Sequence, residues 1–358
     1  ANVNISSGEV HASTGSGNGG AAIGGGEKSE GAANVNISGG NVYASTDYGN
    51  GGAAIGGGKQ SEGATKIDIS GNTQVSASGS DGAAIGSGES ATGAATINIS
   101  GTAFVDADGS NGAAIGSGKD SSVGKTTINI TGSAQVYADG SNGAAIGSGS
   151  SSSGETTINI HDTATGKGVQ KAFSASGAGI GSGCYASGKT YITIDKASVS
   201  TLGNSSASVA SSGAGIGTGY GSQSDADIKI KGNSTVKADS GTGAAIGSGV
   251  DTKGITGISI TGSNVTAKAS HGTGIGSGAS SSGTTTIGIS GGTVEAEGGA
   301  SSFNGGAGIG AGSYSTGDTS ITLSGGVNVT ATGGGDSSSG GGGGAGIGSG
   351  SDAKGNTT

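Results

Sequence analysis

The chain contains no arginine, proline, methionine or tryptophan and one cysteine, and aromatic residues make up only 3% of it. Each shortage closes off a class of protein. The 15 basic residues are all lysines, scattered along a chain whose formal charge is −9. A nucleic-acid groove needs a basic stripe to neutralise phosphates, so none is expected here, and anionic membrane surfaces are disfavoured for the same reason. No run is long and apolar enough to span a bilayer as a helix, and no signal peptide is read at Ala1. A single cysteine, Cys184, leaves no intramolecular disulfide, so packing has to supply the stability. Glycine accounts for 87 of 358 residues, but without proline or a Gly-X-Y period the chain is not collagen. Regularly placed Ile and Val set it apart from a disordered linker.

What is present is a repeat. Gly-Ala-(Ala/Gly)-Ile-Gly-(Ser/Gly)-Gly recurs eleven times with small changes, centred on Ile23, Ile55, Ile85, Ile115, Ile146, Ile180, Ile216, Ile246, Ile275, Ile309 and Ile347. Neighbouring isoleucines lie 29 residues (Ile246 to Ile275) to 38 residues (Ile309 to Ile347) apart. A unit of that size cannot bury its own apolar face and must stack on its neighbours. The chain opens inside a repeat and stops at Asn356-Thr357-Thr358, where another would begin, so a piece of a longer array is expected. Residues 1–32 and 33–64 are near copies, as duplication would leave them.

Residues 112–142 serve as the type unit. Gly112 to Gly118 gives a first strand with its turns, Thr126 to Thr131 a second, and Ala134 to Asp139 a third, with a polar Ser/Gly loop from Lys119 to Lys125. Alternation points Ile128, Ile130, Val136 and Ala138 inward and Asn129, Thr131, Tyr137 and Asp139 outward. The pattern predicts an all-β fold: a single-stranded, right-handed parallel β-helix of about eleven coils of roughly 30 residues, three short strands each, continuous over residues 1–358. Between Ile160 and Gly177 the third strand reads as replaced by an insertion, His161 to Phe173. The next coil is long through Leu202 to Ser206, and the last carries a glycine-rich bulge, Gly333 to Gly344. Solenoid insertions tend to gather on one face, often the binding face, although neutral loop drift produces them too.

Stacking can build a site from one residue per coil. Asp106, Asp108 and Asp139, with Tyr137 among them, form the best acidic cluster: a weak calcium or sugar-hydroxyl site, or a solvated acidic face. No other cofactor is expected. Glu295 and Glu297 hold the same positions several coils away. Tyr185, Tyr220 and Tyr314 follow the signature at nearly one position and Tyr191 opens the next strand, giving rings that can stack on sugars or simply cover loop edges. His11, His161 and His271 fall in separate repeats and make no metal pair. Asn4, Asn36, Asp68, Asn98, Asn129 and Asn159 share one strand position, where stacked amides can bond along the axis. The residue before each signature isoleucine is always small, as at Ala22, Ala54, Ala84, Ala114, Ala145 and Ala245. If the isoleucines face inward, these form either a bare outward stripe suited to close packing or a corner too tight for a side chain.

The unit from Ile289 to Glu297 followed by Gly306 to Gly310 resembles the Gly-rich repeats of large surface proteins from clostridia and related gut bacteria. More loosely, it is similar to the carbohydrate-binding parallel β-helix proteins of clostridial cell surfaces. In the latter, aspartates around the equivalent Gly-x-Gly-Ile stretch are associated with calcium; here that stretch carries none. The resemblance implies an extracellular or cell-surface β-helix that touches a glycan, host or cell-wall surface. The expectation is a non-enzymatic structural or adhesive segment. The alternatives are a filament unit that self-associates through the Ala/Gly stripe and a polysaccharide-active enzyme using the aspartates.

Overall fold

The computed structural model describes residues 1–17, 19–122, 124–203, 212–299, 305–335 and 342–358. Among these the regular structure is all β, with every ladder parallel, forming a stacked solenoid. In the type coil the first strand is Ile115–Gly116, the second Thr126–Gly132 and the third Gln135–Gly140. Each strand pairs with its counterpart one coil away: Ile115 with Ile85 and Ile146, Ile128 with Ile97 and Ile158, Val136 with Val105 and Val169. The first strands make an eleven-stranded sheet, so eleven rungs bound ten full turns. Second and third strands share the other sheet and fuse into one long strand in four coils, at Ala33–Thr46, Thr65–Ser78, Thr256–Ala269 and Thr285–Glu297. Alternation places the core as expected. Ile128, Ile130, Val136 and Ala138 have no exposed surface and belong to one apolar cluster that runs through the coils.

The signature behaves differently from a strand with turns. Only Ile and the following Gly count as strand; Ala114 N–H and Ser117 N–H also reach the next coil, at Ala144 O and Gly147 O (both 3.1 Å), while the Ala113 N–H closes a loop within its own coil on the Ser117 carbonyl at 2.9 Å. The mouth of this loop is tied to its neighbours, Lys119 N–H to Asp81 O at 2.8 Å and Ser150 N–H to Asn111 O at 2.9 Å. The seven residues therefore dip into the interior and return, and both side chains of the Ala-Ile pair turn inward. Ala54, Ala84, Ala114, Ala145 and Ala245 are fully buried in the same cluster as the isoleucines, and only Ala22, in the first coil, is half-buried. The outward Ala stripe does not exist, and self-association through it loses its basis. The next residue has to be glycine. Gly116 has φ +146°, and a Cβ on it would run into the carbonyl of Gly147.

Beneath the Ser/Gly loop the interior is polar. Ser87, Ser117, Ser148, Ser182, Thr218, Ser248 and Ser277 are buried, and each hydroxyl oxygen accepts the N–H of the last signature glycine one coil on, as Ser148 does from Gly183 at 3.1 Å. One residue per coil then takes the left-handed conformation, among them Asp120 (φ 54°), Ser151 (φ 55°), Tyr185 (φ 56°) and Gly221 (φ 62°). A ladder bond to the next coil sustains it, as from Tyr185 N–H to Tyr220 O at 2.9 Å.

The third strand between Ile160 and Gly177 is not replaced. It runs Gly168–Ser174 with a bulge after Val169, pairing Val169 with Val136 and Ala172 with Ala138. A parallel ladder absorbs one extra residue at a bulge while alternation resumes beyond it. Of the long loops, residues 204–206 and 336–341 lie outside the described residues.

Candidate functional site

The outward surface of the third strand carries the most varied chemistry. Its last outward position reads, one residue per coil, Ser13, Ser45, Ser78, Asp108, Asp139, Phe173 and Leu202, and Asp239, Lys268, Glu297 and Thr332 continue the row. The position two residues earlier holds His11, Tyr43, Ser76, Asp106, Tyr137 and Lys171 in the first six coils. His11 and Tyr43 stack at 4.7 Å between ring centroids, Phe104 and Tyr137 meet at 5.3 Å, and Lys171 lies 5.9 Å from the Phe173 ring centre.

Register brings the predicted acidic cluster together: Asp108 pairs with Asp139 and Asp106 with Tyr137. Burial, with the Asp106 and Asp139 charges beside it, raises the Asp108 carboxyl above its ordinary value, although Lys171 works against them. Lys171 Nζ takes Asp139 Oδ2 at 2.7 Å. That ammonium neutralises one carboxylate of the cluster, and among the described residues no three His, Cys, Asp or Glu side chains are arranged to hold a metal.

The tyrosines split into separate places. Tyr185 and Tyr220 touch edge to face at 5.4 Å and 74°. The Tyr185 ring lies over Gly221, whose missing side chain makes the room. Burial, Tyr185 and Asp251 together raise the Tyr220 hydroxyl above its ordinary value. Tyr191 is half-buried on the second-strand face, paired with Thr157 and Asp227, beside the exposed Ile255. Tyr314 repeats the left-handed position of Tyr185 several coils away. The four tyrosines do not form one platform. Cys184 is buried, and burial pushes its thiol up to about 11, away from nucleophilic use.

The amide ladder is present in part. Asn98, Asn129 and Asn159 each donate to the residue one coil before, at 2.7, 2.8 and 2.9 Å, and the series ends on Asp68. Burial raises the Asp68 carboxyl, but bonds from Lys66 and Asn98 and the Lys66 charge outweigh it, leaving it below its ordinary value. A second ladder, Asn142 to Asn111 to Asp81, was not read from the sequence.

Five segments, residues 3–27, 35–59, 97–119, 228–250 and 287–313, match the family model described as a beta helix repeat. Each begins in a second strand and runs into or just past the next signature, which is the span of one coil. The matches cover about a third of the chain and agree with its stacked parallel architecture. No curated protein and no solved structure matches it. Along this β-helix a groove of about 790 Å³ lies on the third-strand face between Phe173 and the glycines after Thr332. The sequence reading passed over it. Its signal was the outward third-strand position, where Phe173 and Leu202 break an otherwise polar row.

Proposed function

We propose that the chain is a non-enzymatic, extracellular rod of a surface protein that holds a repetitive outward face at fixed pitch and contacts glycans along it. The observation that carries this reading is the third-strand face. Aromatic rings, carboxylates, lysines and hydroxyls stand there in register, coil after coil, on an interior sealed by isoleucine. Sugars are held by that mixture of ring stacking and hydroxyl hydrogen bonding. Multivalent contact along a row turns weak single contacts into useful avidity. The polysaccharide-active alternative draws less support, because Lys171 already engages Asp139 in the acidic cluster. A glycan array with a polysaccharide pull-down, run with and without calcium, tests the proposal. Binding unaffected by chelation is expected. Absence of binding removes the adhesive part, and release of reducing ends that stops in Asp108→Asn removes the non-enzymatic part.

A further inference from the structure

We infer that the groove on the third-strand face takes an unbranched, uncharged polysaccharide lying parallel to the coil axis, about one pyranose ring per coil. This inference rests on the glycan-contact reading and assigns it a place and a ligand class.

Three features coincide at this groove. The first is an apolar platform. Phe173 and Leu202 are register partners on adjacent coils, and Leu202 is 39% exposed. Two apolar side chains in an outward row that is otherwise Ser, Asp, Lys, Glu or Thr offer one sugar-stacking surface. The second is charge that is already spent. Lys268 is gripped by Glu295 at 2.9 Å and Glu297 at 3.2 Å, and Lys237 reaches Asp239 at 3.5 Å. Fixed, paired charges remain good hydrogen-bond partners for hydroxyls. They provide no free cation for a polyanion, and the chain as a whole is acidic at −9. The third is pitch. The row from Phe173 to Thr332 crosses six coils, roughly 24 Å at about 4.8 Å per strand spacing. That step is close to the length of one pyranose unit, so a linear chain along the axis meets the same kind of contact at each coil.

An extended peptide suits the groove less well. Its floor is the face of a sheet and not an edge, and its backbone groups are paired between coils, Gly298 N–H to Thr332 O at 2.8 Å and Gly299 N–H to Gly272 O at 2.9 Å. Strand addition needs free backbone donors and acceptors.

The test is calorimetric titration of the full chain with linear, uncharged glucan oligosaccharides of increasing length, beside polygalacturonate. Affinity should climb with length and level off at about six units, the number of coils the groove crosses. Phe173→Ser should weaken binding about tenfold through lost stacking. Ser270→Trp, at an exposed position in the groove, should abolish binding by filling it, with the strand signal in circular dichroism unchanged; this variant keeps the test decisive should Phe173→Ser unfold. Tyr185→Ala/Tyr220→Ala should bind as the parent does. Binding lost in the tyrosine pair but retained in Ser270→Trp overturns the groove and leaves the glycan reading standing. Preference for polygalacturonate overturns the charge argument. Failure of the parent chain to bind any glycan overturns both.

Discussion

At the scale of single residues, glycine and aspartate do opposite kinds of work. The glycine after each signature isoleucine lets backbone approach backbone. Gly116→Ala combines a positive φ with a collision against Gly147, and should cost about 3 kcal/mol, read as a fall in the urea midpoint at unchanged m-value. The neighbouring Ala113, buried but with φ in the ordinary range, gives a control site of equal depth. The aspartates set how stability responds to acid, with opposite signs. Asp108 has a raised carboxyl pKa, so the folded state binds the extra proton between the ordinary carboxylate value and the raised one. Its contribution to stability therefore falls as pH rises through that window. Asp68 has a lowered value, and its contribution is lost as pH falls below the ordinary one. Thermal melts across the acid range should show Asp108→Asn flattening a loss of stability on raising the pH, and Asp68→Asn flattening a loss on lowering it. Equal slopes in parent and both variants would refute this assignment.

At the scale of the strand and its loop, stability lies in rows rather than in contacts within one coil. Ser148 accepts the buried N–H of Gly183, and Ser148→Ala would remove that donor's partner at a buried site. A loss of about 2 kcal/mol is expected, together with faster hydrogen exchange at Gly183 than at Gly219, whose acceptor Ser182 is intact. The second and third strands were legible in the sequence because Ile128, Ile130, Val136 and Ala138 alternate with polar residues, and a period of two fixes which face is buried. The signature was legible as a repeat but not as a shape. Alternation assumes an extended chain, whereas Ala113 to Ser117 closes a loop, which is why Ala114 and Ile115 both turn inward. The bulge after Val169 hid Phe173 in the same way, since one extra residue shifts the alternation used to find it. The acidic cluster was placed correctly by register, and its ion partner was not, because Lys171 enters the row only through that bulge.

At the scale of the whole molecule, each coil touches its two neighbours and little else, so stability accumulates along the axis. Excising the 30 residues 86–115 should remove one coil and join Ile85 to Gly116 in its normal register. The shortened chain should keep its strand spectrum and a cooperative melt, whereas removing half as many residues should abolish both. Ladder registry of this kind makes the left-handed position of each coil a fixed peg. Ladder bonds hold it in place whether it carries Asp120, Ser151, Tyr185 or no side chain at all at Gly221. The backbone there states an address and leaves the occupant open. A row of such addresses lets sequence drift rewrite the surface one coil at a time without disturbing the scaffold, so a family of rods with identical cores and unrelated recognition surfaces follows from a single architectural rule.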